Sequence, residues 1–594
     1  MFESSGVYYQ RLVGMLSVLV LCLAAGSVPT AAAASAPDPF PTVYKMTDSS
    51  GTGELAAPKT VPMGWNAWNT FKCNVTEAMI KKEADLIVSL GLRDAGYVYV
   101  NLDDCWAGGR DRSTGRLIAN PTTFPDGIAA LATYLNVRGL KLGIYSTPNS
   151  VTCAVSFNGY NPSLGVGSGG HESIDAQTFA DWGVTYLKYD RCGAGSTPGN
   201  FYNPDPTKVY NLFTAMRDAL ASTKAPIFYS TNLDFGTSAL HTDGFSVDKI
   251  AHTSRVANDI SPNFASLMGI ISASQYLEGY AMPGYWNDMD MMEVGNLGAL
   301  NLDRINLGMW AMMNSPLLIG SDLSKISSSS MAILKNADVI AVGQDPMNTQ
   351  AVVVNDDGKG HQIWAKPLYF NGQRAVALLN TTSSPASMTV TWSMLHLQPG
   401  QAAVRDLWMQ ADLGQLTNSI TVNIPSQDVA VLQITGTEAR HRGTNLLGGE
   451  DTIYESNSWG PVDVNLGNGG SKTGQGTPLS INGIKYAKGF GVNAPSQIQF
   501  RLNDTCSKFT VQVGVDDFIN QRAPGSNGHG NVIFQVWGDG RLLAQTATIK
   551  PNMPAATLTA DVRSASVLRL IARPSDNSNW YDYGDWISPT LTCQ

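Results

Sequence analysis

The sequence predicts an α/β fold built on a (β/α)8 barrel, followed by an antiparallel β-sandwich and a second all-β unit. Three observations carry this. Between residues 61 and 342 short apolar β-like runs alternate with helical patterns, the texture a barrel of ~250 residues plus insertions requires. After residue 345 the helical period fades into alternating segments rich in turn residues. A chain of 594 residues is also too long for one core at ~100–200 residues per domain.

Eight candidate strands fall at 62–65, 97–103, 141–146, 186–190, 227–231, 250–254, 285–288 and 317–321. Helical patterns at 77–90, 206–221 and 302–313 lie between them. An open doubly wound sheet is the alternative, weakened because no glycine-rich phosphate fingerprint follows the first strand. The sandwich is expected from segments at 350–354, 362–367, 374–380, 388–392 and 429–434. A charged patch at 437–444 reads as a linker. The expected limits are 55–345 for the barrel, 346–437 for the sandwich and 445–594 for the last unit.

Residues 1–36 are expected to be a secretory signal. Arg11 supplies the positive flank, Leu12 to Ala24 the apolar run, and Ala31 to Ala36 the small-residue end. The run is short of the ~20 residues that span a bilayer, so a secreted, extracellular protein without a membrane partner is expected. Removing Cys22 with the signal leaves Cys73, Cys105, Cys153, Cys192, Cys506 and Cys593, an even set that reads as disulfides in such a chain. No pair has zinc-like spacing, so neither metal nor cofactor is expected. Sequons at Asn74, Asn380 and Asn503 are candidate glycosylation sites. A net charge of −9 with no dense Lys/Arg run speaks against nucleic acid.

The strand ends carry the chemistry. Strand two closes in Asp103, Asp104, Cys105 and Trp106; strand three holds Tyr145; strand four ends Lys188, Tyr189, Asp190. Strand six runs into Arg255 ahead of Asp259, and strand seven gives Trp286 through Asp290. Catalysis in a (β/α)8 barrel is built on the C-terminal rim. A single Asp there is more often a helix cap, but carboxylates from several strand ends suit glycoside hydrolysis, with one attacking and another protonating the leaving oxygen. Lys188 and Asp190, two apart, share a strand face, so the ammonium would hold the carboxylate ionised. Trp65, Trp106, Tyr145 and Trp286 are candidate platforms for a sugar's apolar face.

Six stretches extend this pattern: MGWNAW at 63–68, DDCW at 103–106, GLKLGIY at 139–145, DAQTFADWG at 175–183, LKYD at 187–190 and WNDMDM at 286–291. In order and together they closely resemble the α-galactosidases of glycoside hydrolase family 27. The resemblance implies a barrel followed by an antiparallel β domain, and a retaining double displacement on terminal, non-reducing α-D-galactose of galactosides, galacto-oligosaccharides and branched polysaccharides. It implies Asp190 as nucleophile and Asp259 as acid/base, whose carboxyls retention places ~5–5.5 Å apart. It further implies Trp65, Asp103, Asp104, Tyr145, Cys153, Lys188, Arg255 and Asp290 around the sugar, and Cys73–Cys105 and Cys153–Cys192 as disulfides. Cys506 and Cys593 are then the two left to pair. Asp at 104, where an arabinopyranosidase branch has Glu, argues for room for a hydroxymethyl group.

Two departures stand out. Where the family usually carries Cys-Glu-Trp after strand five, a loop reading sugar carbon two, this chain has Ser230, Thr231, Asn232, Leu233 and Asp234; Asn232 is the expected contact there. Arg191 follows the nucleophile, either to meet the aglycone or to lower the nucleophile's pKa. GIKYAKGFG at 483–491, VGVDD at 513–517, VWGDG at 536–540 and Asp585-Trp586 resemble carbohydrate-binding modules of the NPCBM type; the alternative is a sandwich without a sugar site. Related exo-glycosidases for β-L-arabinopyranosides or α-N-acetylgalactosaminides, and a non-catalytic galactose-binding lectin, are the competing functions.

Overall fold

The computed structural model describes residues 44–46, 55–57, 59–158, 166–192, 206–233, 247, 250–275, 277–281, 284–502, 505–522, 529–575 and 581–594. The expected signal, Asp234 and the Asn503 sequon lie outside the described residues. Eight parallel strands form one sheet: β1 Met63–Asn66, β2 Tyr99–Asn101, β3 Lys141–Ser146, β4 Tyr186–Tyr189, β5 Phe228–Thr231, β6 Thr253–Arg255, β7 Trp286–Asp288 and β8 Leu317–Ile319. They neighbour one another in chain order from β1 to β7, and β8 pairs with β1. The remaining edge closes just past β7, where Met292 bridges Ile319 in parallel; the Met292 N–H donates to the Leu318 carbonyl at 2.7 Å and the Gly320 N–H to the Met292 carbonyl at 2.8 Å.

Apolar side chains that alternate inward fill the barrel. Tyr99, Tyr186, Phe228, Trp286 and Leu318 are buried together, with the Tyr186 and Phe228 rings stacked at 5.1 Å. Close strand approach also needs Gly143, where a Cβ would sit 1.9 Å from Asn101 Oδ1. Helices Glu77–Ser89 and Phe264–Ser274 start at side-chain caps, Thr76 and Asn263.

The second unit holds β9 Val352–Asp356, β10 His361–Pro367, β11 Gln373–Asn380, β12 Ala386–Thr391, β13 Gln401–Asp406, β14 Ala411–Thr417, β15 Ser419–Ile424 and β16 Asp428–Thr435. The larger sheet has the order β9-β10-β11-β16-β13-β14, and β12 pairs with β15. Helix Leu300–Met312 is packed between barrel and sandwich, which is why Leu302 and Ile305 through Met312 are all buried. Asn380 corrects one expectation. It is buried on β11, its amide nitrogen donates to the Ser384, Ile424 and Pro425 carbonyls at 2.8–3.2 Å, and its oxygen accepts from Thr382. The folded chain leaves no room for a glycan there. Asn74 is exposed.

The third unit is two antiparallel sheets. One runs Asp463–Val464, Gly489–Asn493, Tyr583–Cys593, Cys506–Val515, Ala556–Asp561; the other runs Thr452–Asn457, Ser496–Arg501, Val567–Pro574, Val532–Gly538, Arg541–Gln545. Cys506 and Cys593 are direct partners across the first sheet and are bonded, as are Cys73 with Cys105 and Cys153 with Cys192.

The charged patch at 437–444 is not a solvated linker. Glu438 is 7% and His441 4% exposed. Glu438 accepts from Arg374 Nη1 at 2.6 Å and Arg501 Nε at 3.1 Å, while Arg501 also donates to the Tyr369 and Leu368 carbonyls. One carboxylate thus ties the sandwich to the third unit. That unit also reaches the barrel, where Gln497 Nε2 donates to the Ala281 carbonyl at 3.2 Å, and the segment that follows the barrel, where Tyr454 Oη donates to the Gln350 carbonyl at 2.9 Å and Arg569 Nη2 to the Met347 carbonyl at 2.7 Å. Residues 277–281 lead into β7, so this anchor lies at the strands' N-terminal end, away from the carboxylate rim. Among the described residues no helix is long and apolar enough to cross a membrane. Removing the central charge leaves two buried guanidiniums uncompensated, so Glu438→Gln should lower unfolding stability by about 3–5 kcal/mol in urea denaturation; a loss under 1 kcal/mol would mean that the tether does not hold the units together.

Candidate active site

Each candidate acid stands at or just beyond the C-terminal end of its strand. Asp190 continues β4, its N–H donating to the Ser146 carbonyl at 2.9 Å. Asp103 and Asp104 follow β2, Asp288 ends β7 and Asp290 lies two residues on. Lys188 and Asp190 emerge on one face while Tyr189 turns outward into the core against Phe213.

Lys188 holds the centre. Its Nζ donates to Asp103 Oδ2 at 2.7 Å, and Asn66 Nδ2, from the end of β1, donates to the same oxygen at 2.9 Å. Burial alone would lower the Lys188 pKa, but Asp103, Asp190 and Asp290 together hold it above the ordinary lysine value. Asp104 is fixed by two backbone donors, Cys105 N–H on Oδ1 at 2.6 Å and Ala154 N–H on Oδ2 at 2.8 Å. Burial still pushes its carboxyl up to about 6.

Asp190 is gripped on both oxygens. Oδ1 accepts from the Arg191 N–H at 2.8 Å and Asn232 Nδ2 at 2.9 Å; Oδ2 accepts from Tyr145 Oη at 3.2 Å. The Cys153–Cys192 disulfide borders this group, the two sulfurs and an Asp190 oxygen lying within 4.8 Å of one another. Both sulfurs are consumed in the bridge, which leaves no thiolate pair to hold a metal.

A second cation, Arg255, organises another pair of acids. Arg255 Nη2 lies 3.1 Å from Asp259 Oδ1 and 3.1 Å from Asp290 Oδ2, and Asp290 Oδ2 also accepts from the Ile260 N–H at 2.8 Å. Asp259 is the exposed member, with 68% of its side chain open. Burial raises its pKa, but Arg255 and Lys188 outweigh that and hold it below the ordinary value. Asp290 moves the other way, burial prevailing over Arg255. Beneath lies a cleft lined by Asn66, Lys188, Asn232, Arg255, Asp288 and Asp290 among others.

The structure brings Asp103, Asp104, Tyr145, Cys153, Lys188, Asp190, Asn232, Arg255, Asp259 and Asp290 to one rim. It corrects the aromatic platforms. Trp65 is 0% exposed with its Nε1 on the Ser321 carbonyl at 2.9 Å, Trp106 packs on Trp182 with its Nε1 on the Tyr145 carbonyl, and Trp286 fills the barrel. Their polar edges are satisfied inside, so these indoles support the rim and present no open face. Arg191 is likewise buried, at 4% exposure, which removes it from the aglycone side. Asn66 and Asp288 were missed, although both are polar residues at strand ends inside the quoted motifs.

A family model described as "Alpha galactosidase A" matches residues 60–345, one described as "Alpha galactosidase C-terminal beta sandwich domain" matches 358–434, and the NPCBM/NEW2 domain matches 443–592. The chain is 38% identical over 413 residues to alpha-galactosidase 3 of Arabidopsis thaliana, covering 68% of this chain and 88% of that protein. The chain belongs to the α-galactosidases of glycoside hydrolase family 27. Among solved structures, this family member is similar to alpha-galactosidase I from Mortierella vinacea (TM-score 0.57, 34% identity, 64% of this chain and 98% of that one). It is also similar to the α-galactosidase of Saccharomyces cerevisiae solved with raffinose (TM-score 0.55, 30% identity, 64% and 98%). The family models at 60–345 and 358–434 cover the barrel, whose strand ends build the rim, and the sandwich.

Burial pushes the Asp288 carboxyl up to about 6 from an ordinary 3.8, so the folded state holds an extra proton between those values. Its contribution to stability is full at low pH and falls as pH rises through about 6. Asp288→Asn keeps the acceptor for the Asp290 N–H, which uses Oδ1 at 2.8 Å, and removes the titration. Urea unfolding at pH 4 and pH 7 should show the variant gaining on the parent by on the order of 2–3 kcal/mol; equal slopes with pH would contradict a neutral buried Asp288.

Proposed function

We propose that this family 27 enzyme is an exo-acting, retaining α-galactosidase that works by double displacement, with Asp190 as nucleophile and Asp259 as acid/base. The observation that carries the reading is the contrast between the two carboxylates. Asp190 is half-buried and oriented by Tyr145, Asn232 and the Arg191 N–H. Asp259 is open to solvent and, among the described residues, is held by Arg255. A nucleophile needs a fixed lone pair, whereas an acid/base needs access to the leaving group and then to water.

An electron pair of Asp190 attacks the anomeric carbon as the glycosidic bond breaks, and the Asp259 proton passes to the departing oxygen. Asp259, now ionised, takes a proton from water; the water oxygen bonds to the anomeric carbon and the electron pair returns to Asp190. The low pKa that Arg255 imposes on Asp259 suits the second step. Lys188, Asp103, Asp104 and Asp290 form the sugar cradle, Lys188 donating and the carboxylates accepting from hydroxyls. The buried, pinned Asp104 sets its outer limit.

Raffinose bound to the yeast relative supports small α-galactosides and galacto-oligosaccharides as substrates, and the same terminal galactose on branched polysaccharides fits an exo-acting rim. Three disulfides support export to an oxidising, extracellular compartment, as does the apolar leader pattern at residues 12–24.

Initial rates on aryl α-D-galactopyranoside should exceed those on β-L-arabinopyranoside and α-N-acetylgalactosaminide analogues. Asp259→Asn should lower kcat/KM on raffinose by on the order of 10²–10⁴, and by less on an activated aryl galactoside whose leaving group needs no proton. Asp190→Asn should be inactive on both. Galactose binding without turnover of any glycoside would favour the lectin reading.

A further inference from the structure

The Asn232 carboxamide has an unusual balance. The residue is 4% exposed and is locked by its backbone, the N–H donating to the Tyr189 carbonyl at 3.0 Å and the next residue, Leu233, fully buried. Its Nδ2 donates to Asp190 Oδ1 at 2.9 Å, and its buried Oδ1 has no hydrogen-bond partner among the described residues. A buried amide left half unsatisfied is destabilising, so packing alone does not account for it. A carboxylate only accepts, which fixes the amide with nitrogen toward Asp190 and oxygen away from it.

We propose that Asn232 is a positioning residue that decides which oxygen of Asp190 attacks, an inference that rests on the reading of Asp190 as nucleophile. Among the described residues, Oδ1 is held by two N–H donors at 2.8 and 2.9 Å, whereas Oδ2 has one hydroxyl at 3.2 Å. Oδ2 is therefore the freer lone-pair source and Oδ1 the anchored one. When the Oδ2–carbon bond forms, Oδ1 becomes the carbonyl oxygen of the glycosyl ester, still facing Asn232 and the Arg191 N–H. When water replaces the enzyme, the pair returns to Oδ2 and the carboxylate charge spreads again onto Oδ1, where the charge-assisted bonds strengthen. Asn232 thus favours expulsion of Asp190 in the second step as well as orienting it in the first.

The test is labelling with 5-fluoro-α-D-galactopyranosyl fluoride, a reagent that traps the glycosyl-enzyme, followed by mass spectrometry of the intact chain and its peptides. In the parent chain the label should fall on Asp190. Asn232→Ala should label the same residue about 10- to 100-fold more slowly, the worth of one hydrogen bond to a charged group, with kcat falling alike and KM and galactose inhibition within about threefold. Asn232→Asp, which keeps the shape and loses the donor, should be at least as slow; it serves if the alanine variant misfolds, and unchanged thermal melting checks each. Labelling of either variant at the parental rate, or a loss confined to KM, overturns the positioning role. A label on another carboxylate overturns the nucleophile assignment and this proposal with it.

Discussion

The Lys188 ammonium is the interaction on which the rim depends. Three acids, Asp103, Asp190 and Asp290, act on it electrostatically, and Asp103 binds it directly at 2.7 Å. Grouping these carboxylates at the mouth of an apolar barrel sets like charges side by side, which is unfavourable without a cation among them. A cation fixed on β4 and a second, Arg255, on β6 make the grouping tolerable and divide it in two. Strand parity does the rest: Lys188 and Asp190 face the rim because Tyr189 faces the core. Where the balance is incomplete the structure shows it, as at Asp104 and Asp288, whose carboxyls burial pushes up to about 6.

The barrel was legible because its strands are buried on both faces and read as apolar runs closed by charged residues. Each of the eight expected runs overlaps an observed strand, and the acids that ended them meet on one rim. Strands β13, β14 and β15 went unread. In β14 five of seven residues are exposed, so the apolar alternation that marks a half-buried strand is missing. The patch around Glu438 read as a linker for the opposite reason. Its composition is that of solvated sequence, and only distant partners, Arg374 and Arg501, make its burial possible. The sequon at Asn380 and the indoles of Trp65 and Trp286 share that lesson, since a local motif does not say whether its side chain faces water. Asn232 was expected at the sugar; that its nitrogen grips Asp190 depends on the register of β5 against β4.

The remaining architecture serves the rim from outside. The sandwich packs on helix Leu300–Met312, and the third unit binds both through Glu438 and the segments around Ala281 and Gln350. The contact at Ala281 lies at the end of the barrel opposite the acids. Among the described residues, the third unit is fixed to its neighbours by buried polar contacts.

In double displacement the two carboxylates act in succession on opposite faces of the anomeric carbon. Proton NMR of the first-formed sugar during hydrolysis of an aryl α-D-galactopyranoside tests this most directly. α-Galactose should appear first, with the β anomer growing in only by mutarotation. Initial release of β-galactose would mean single displacement by water and would contradict a covalent intermediate on Asp190.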